Sequence, residues 1–144
     1  MKESNQLPKF RSLVELLSYR SSTQPNKLAY RFLKDGIVEQ ENITYGELDR
    51  RSKKLAAKLQ SLSMSGKRAL LLYPSGLDYI VAFFGCLSAN TIAVTAYPPR
   101  NQRHRPRLQA IANNAQIAIA LTINSHLSKI QSLLANSGFQ LGGL

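Results

Sequence analysis

From Gly66 onward the chain alternates between apolar runs too continuous for a half-exposed strand and segments patterned as helices, and few folds accept that alternation. ALLLY reads as a strand, LDYIVAFFGCLSA as a helix, TIAVTA as a strand, RPRLQAIANNA as a helix, IAIALT as a strand and SHLSKIQSLLANS as a helix. Strands without polar alternation need cover on both faces, which a parallel sheet flanked by helices provides. The fold class is therefore α/β. Pro106 suits the first turn of its helix, where a missing N–H costs little, and Ser125 is placed to cap the last one. Phe139-Gln140-Leu141 is expected to begin a further strand, leaving an incomplete sheet with an exposed edge.

Ahead of this alternation the pattern changes. Phe10, Leu13, Val14 and Leu17 make one apolar stripe of a short helix that should stop before Pro25. LAYRFLKDGIVEQENITY then reads as two strands about Asp35-Gly36, a pair suited to the positive φ angles of a tight hairpin. Thr44 and Glu47 stand at capping-box spacing, predicting that the Thr44 hydroxyl accepts the Glu47 amide while the Glu47 carboxylate reaches back to the Thr44 amide. The helix that follows carries Leu48, Leu55, Leu59 and Leu62 on one face, with Arg50, Arg51, Lys53, Lys54 and Lys58 over much of the rest.

Charge narrows the choice of partner without making it. The formal net charge is +11, and no Asp or Glu follows Asp78, so the basic Arg100–Arg107 stretch has no acidic neighbour in sequence. Such an excess attracts polyanions of any kind. A nucleic-acid binder is one reading, but zinc-finger spacing, a ribonucleoprotein-type aromatic motif and a clear helix-turn-helix are lacking, and a strand-to-helix connection is the other reading. The basic face after Thr44 could likewise meet phosphates or simply water.

Tyr79–Pro99 holds no charge and is long enough to cross a bilayer at ~1.5 Å per residue. Asn90 interrupts it and TIAVTAY is β-branched up to Pro98-Pro99, so it reads as a buried helix followed by a strand and not a membrane span. With one cysteine, Cys86, and no secretory signal in MKESNQLPKF, a cytoplasmic location is expected.

Candidate chemistry is sparse. Tyr73-Pro74-Ser75-Gly76 lies between a strand and a helix, where phosphate loops occur, but one Ser-Gly pair reads as a turn. Ser125 and His126 are adjacent on a helix and do not face each other, and the G-x-S-x-G elbow is absent. His104 sits among arginines that disfavour a cation, and Cys86 in FFGCL reads as a core residue without a basic activator.

Taken together, ITYGELDRRSKKLAAKLQ, RALLLYPSGLDYIVAFFGCLSANTIAVTAYPPR and RPRLQAIANNAQIAIALT resemble the N-terminal part of adenylate-forming enzymes, and FFGCL followed by AYPPR resembles the fatty-acyl-AMP ligases in particular. The opening PKFRSLVELLSYRSSTQPNKLAYRFLKDG fits the same family, and the resemblance runs from about Phe10 to about Leu134. It implies that residues 1–144 are a partial N-terminal, AMP-binding-type domain with no second domain present, and that Arg100–Arg107 joins a strand to a helix. For the full-length family it implies ATP and Mg²⁺ as cofactors, and fatty acid and acyl carrier protein as substrate and partner. The family's Ser/Thr/Gly-rich phosphate loop and C-terminal lysine domain match nothing in this sequence, so no catalytic, cofactor-binding or metal-binding residue is assigned, and no cofactor is expected on these residues alone.

The chain is accordingly expected to be inactive by itself. A binding or assembly module completed in trans by a separately encoded remainder is the second reading, and specific nucleic-acid binding is the least favoured. Asn90 and Thr95 replace the family's usual Gly and Pro; Asn tolerates a left-handed helix end, and Thr suits a strand. After Asn136 the family pattern is lost, and QLGGL reads as a foreign or prematurely ended tail.

Overall fold

The computed structural model of the chain describes residues 8–135 and 140–143. Helix α1 (Leu13–Thr23) starts where Ser12 accepts the Glu15 amide at 3.1 Å, and it ends before Pro25 as the stripe implies. Phe10 stays outside the helix, its ring centroid 5.2 Å from that of Tyr19, and among the stripe residues Leu17 alone is buried. Strands β1 (Leu28–Lys34) and β2 (Val38–Thr44) pair antiparallel around Asp35 and Gly36, whose φ angles of 54° and 73° match the predicted hairpin.

Helix α2 (Tyr45–Ser61) forms half of the capping box. The Thr44 hydroxyl accepts the Glu47 amide at 3.3 Å, but the Glu47 carboxylate accepts from Arg50 at 2.9 and 2.6 Å instead of returning to Thr44. Two charge-assisted bonds outcompete one bond to a neutral amide.

The alternating segments follow as β3 (Arg68–Leu71), α3 (Leu77–Ser88), β4 (Ile92–Thr95), α4 (Arg105–Asn114), β5 (Ile119–Thr122), α5 (Asn124–Leu133) and β6 (Gln140–Gly143). The last four strands form one parallel sheet in the order β4-β3-β5-β6. The expected strand around Phe139-Gln140-Leu141 is thus present from Gln140, while Phe139 lies outside the described residues.

Two cores show that both faces of the sheet are covered. Ala69, Leu71 and Tyr73 with Ile119 and Leu121 pack against α2 and α3, whereas Leu70, Leu72 and Ala120 pack against α4 and α5. This placement fits right-handed crossovers leaving β3 and β4 in opposite directions. A third cluster, with Leu17, Ile43, Leu48, Leu77 and Val81, lays α1 and the hairpin over the outer side of α2 and α3. Burial on both faces explains why these strands lack polar alternation.

Three helices return to the sheet through a left-handed residue that is not glycine. Ser63, Asn90 and Gln116 have φ of 54°, 55° and 50° after α2, α3 and α4. All three exits close with the same two backbone bonds; at Asn90 its own amide donates to the Leu87 carbonyl at 3.1 Å and the Thr91 amide to the Cys86 carbonyl at 2.9 Å. Asn90 thus stands in for glycine, and Thr95 pairs with Leu71 as the strand reading requires.

The last helix departs from expectation. It starts at Asn124 with Ile123 as its cap, and no side chain caps it, so Ser125 lies within the first turn and does not cap. Ile123 packs against the α2–α3 core, and that contact sets the start of the helix in place of a hydroxyl.

Candidate functional site

In an open parallel sheet, ligands favour the carboxyl ends of the strands, at the point where neighbouring connections leave for opposite faces. Here that point lies between β3 and β5: the connection from β3 runs to α3 on one face, and that from β5 to α5 on the other. The carboxyl edge therefore gathers Tyr73–Gly76, the Arg100–Arg107 stretch after β4, and the Ile123–Asn124 junction.

The Tyr73–Gly76 turn behaves as a turn. Gly76 caps α3 by backbone alone, and Asp78 brings a carboxylate into the helix's first turn, where it already meets the positive helix end. Asp78 also holds the Arg51 guanidinium at 2.5 Å, tying α3 to α2. Below the turn, the Tyr73 hydroxyl is buried without a hydrogen-bond partner among the described residues. Thr122 carries a contact that periodicity could not reveal: fully buried in β5, its hydroxyl donates to the Leu72 carbonyl at 2.8 Å across the strand pair.

Arg100–Arg107 joins β4 to α4, as the resemblance implies, though it is more ordered than a plain loop. Gln102–His104 forms a single 3₁₀ turn, α4 begins directly at Arg105, and Pro106 lies in its first turn. His104 is a local brace: its Nδ1 accepts the Arg100 amide at 3.1 Å. The structure does not bring His126 or Ser125 into this stretch; they lie on α5.

Cys86 is fully buried on α3, and burial pushes its thiol from an ordinary 9.0 up to about 12. Burial, with smaller contributions from Cys86 and Asp78, likewise raises Tyr73 above the ordinary phenol range. Both groups stay protonated in the fold while the unfolded chain releases their protons near the ordinary values, so their contribution is intact below about pH 9 and is lost as pH climbs toward about 12. Urea midpoints should fall steadily above about pH 9, and Cys86→Ala should flatten the early part of that fall. Equal slopes in the two proteins would mean that the thiol is not buried.

Among the described residues no three His, Cys, Asp or Glu side chains converge to hold a metal ion, and no described helix is long and apolar enough to cross a membrane. Among the described residues there is thus no carboxylate cluster that would hold Mg²⁺ by itself, and the Tyr73–Gly76 turn offers one Ser-Gly pair.

The sequence profile of the family described as AMP-binding enzyme matches residues 17–140. A medium-chain-fatty-acid–[acyl-carrier-protein] ligase, JamA of Moorena producens, is 43% identical over 127 residues, covering 86% of this chain and 22% of JamA. The long-chain-fatty-acid–AMP ligase FadD32 of Mycolicibacterium smegmatis is 36% identical over 116 residues, covering 77% of this chain and 18% of its own length. In three dimensions the chain is similar to a fatty acyl-adenylate ligase from L. pneumophila, solved with acyl adenylate and pyrophosphate, at a TM-score of 0.84 and 35% identity. That similarity covers 94% of this chain and 23% of the ligase, so the chain spans about a quarter of the structure it matches.

Proposed function

The chain belongs to the AMP-binding enzyme family, and on that premise we propose that it is the N-terminal part of a ligase that activates fatty acids as acyl-adenylates and passes them to an acyl carrier protein. The observation that carries this reading is the 43% identity to a ligase named for both a medium-chain fatty acid and an acyl carrier protein. In the proposed reaction the fatty carboxylate attacks the α-phosphate of ATP, pyrophosphate leaves, and the carrier's thiol then displaces AMP. Positive charge is needed where phosphate charge shifts, and Mg²⁺ bound with ATP would supply it in the whole enzyme.

On this reading residues 1–144 are part of an AMP-binding-type domain working in the cytoplasm. Their own contribution is scaffolding: the parallel sheet positions the carboxyl edge, and the groups that touch ATP come from the rest of the enzyme. Whether that remainder is continuous or separately encoded, it has a surface to cover. Beside β4 runs a groove of about 370 Å³ lined by Phe83, Leu87, Asn90, Thr91, Ile92 and Ala93, and β4 is an outer strand of the sheet.

Fatty-acid-dependent exchange of labelled pyrophosphate into ATP tests the proposal. The purified 144-residue chain should give none, whereas co-expression with a downstream coding segment that holds a Ser/Thr/Gly-rich loop and a C-terminal lysine should restore it. Exchange by the chain alone would refute the scaffolding role. Exchange by the completed enzyme with amino or aryl acids but not fatty acids would refute the substrate.

A further inference from the structure

Two basic clusters look alike in the sequence, and the structure separates them. On α2, Arg50 pairs with Glu47, Arg51 with Asp78 and Lys53 with Asp49, so three of its five basic residues are matched by a carboxylate and, among the described residues, Lys54 and Lys58 are not. The second cluster has no such match. Arg100, Arg103, Arg105 and Arg107 are all exposed, and none lies within ion-pair distance of a carboxylate among the described residues.

Local backbone electrostatics make this arrangement costlier. The arginines surround the start of α4, a positive helix end that favours acids, yet α4 has neither an acid in its first turn nor a side-chain cap. Like charge on a positive end reverses the local preference, and an uncompensated breach of that kind is characteristic of a functional surface. The stretch is nevertheless braced. Arg100 donates its amide to His104 Nδ1 at 3.1 Å, Arg103 its amide to Asn101 Oδ1 at 3.0 Å, and the Arg105 guanidinium donates to the Ala135 carbonyl at 3.0 Å. With Arg105 engaged in that bond, the guanidinium groups of Arg100, Arg103 and Arg107 remain available at the carboxyl edge.

We propose that Arg100, Arg103 and Arg107 form a docking surface for an acidic helix of an acyl carrier protein. The inference rests on the proposed ligase function for its choice of partner and on charge complementarity for its place. Acyl carrier proteins are small acidic helical proteins, and carboxylates three or four residues apart on a helix stand about 5–6 Å apart, a spacing that Arg103 and Arg107 can meet. Guanidinium groups engage carboxylates in a fork, and complementary charge speeds and orients the encounter. Single-stranded nucleic acid is the weaker fit, because sequence-tolerant binding of single strands uses successive stacking platforms, and the arginines have beside them one highly exposed aromatic, Tyr97; a duplex, which needs phosphate contacts alone, is left to the binding test.

Fluorescence anisotropy of a labelled bacterial holo-acyl carrier protein, titrated with the full chain at low salt, tests the proposal. The triple variant R100E/R103E/R107E should bind at least about tenfold more weakly, whereas K53E/K54E/K58E on α2, with the same change in charge, should stay within about twofold. A carrier whose acidic helix is reversed to lysines should restore binding to the arginine-loop variant, a gain that a misfolded chain could not produce. Equal losses from both triple variants would overturn the proposal, as would absence of carrier binding by the parent chain. Tighter binding of a short DNA duplex through the same arginines would overturn it in favour of nucleic acid. The assay needs no adenylation, so its failure leaves the pyrophosphate-exchange result standing, and the reverse also holds.

Discussion

Gly85→Ala lowers the stability of the chain by about 2 kcal/mol, and Gly85→Val abolishes its cooperative unfolding. A methyl group on Gly85 would sit 2.6 Å from Leu55 Cδ2, 2.8 Å from Cγ and 2.9 Å from Cβ. The Cδ2 contact alone could be relieved by a rotamer change, but Cβ moves only with the backbone of α2. Leu55 is itself buried in the α2–α3 core and has no open side toward which to swing. Alanine returns about 1 kcal/mol of helix propensity, which offsets part of an overpacking cost of about 1–3 kcal/mol or more. Urea unfolding measures the difference. Leu55→Ala introduced beside Gly85→Ala should cost less than it does alone, because it removes Cδ2 and Cγ, the two nearest of the three obstructing atoms. A higher midpoint for Gly85→Ala would contradict the close approach of α2 and α3.

Leu70→Ala costs about 2–5 kcal/mol, the range for a leucine emptied from a packed core. Leu70 is completely buried on β3, facing α4 and α5, whereas Leu71, equally buried, faces α2 and α3. The two substitutions should therefore loosen different layers. Hydrogen exchange should quicken through α4 and α5 in Leu70→Ala and through α2 and α3 in Leu71→Ala. The same exchange pattern in both would mean that the two faces of the sheet do not hold separate cores.

The parts of the fold visible in the sequence are those where one residue type answers to one local demand. ALLLY and IAIALT announce strands buried on both faces, Asp35-Gly36 announces the hairpin, and Thr44 announces the start of α2. Where two partners compete, the sequence misleads. Glu47 could reach the Thr44 amide or Arg50, and the charged partner prevails. Ser125 has the chemistry of a cap, but Ile123 is anchored in the core two residues earlier and takes the cap position.

Contacts between distant segments leave no periodic trace. Neither the Thr122 hydroxyl's bond to Leu72 nor the closeness of Gly85 to Leu55 can be read from spacing. The family resemblance was readable because FFGCL and AYPPR are unusual strings, and the AMP-binding match bears it out. The carboxyl-edge arginines were visible as charge. Their lack of acidic partners among the described residues, against the paired residues of α2, required the structure.

Ser63 and Gln116 leave room for improvement at the helix exits, where Asn90 already serves in place of glycine. Each occupies a conformation that costs an L-residue roughly 1–2 kcal/mol and glycine almost nothing. A hardier version of the protein is therefore within reach by editing helix exits alone. Because those exits lie at the end of the sheet where strands enter, heat tolerance and recognition at the opposite rim can be tuned separately.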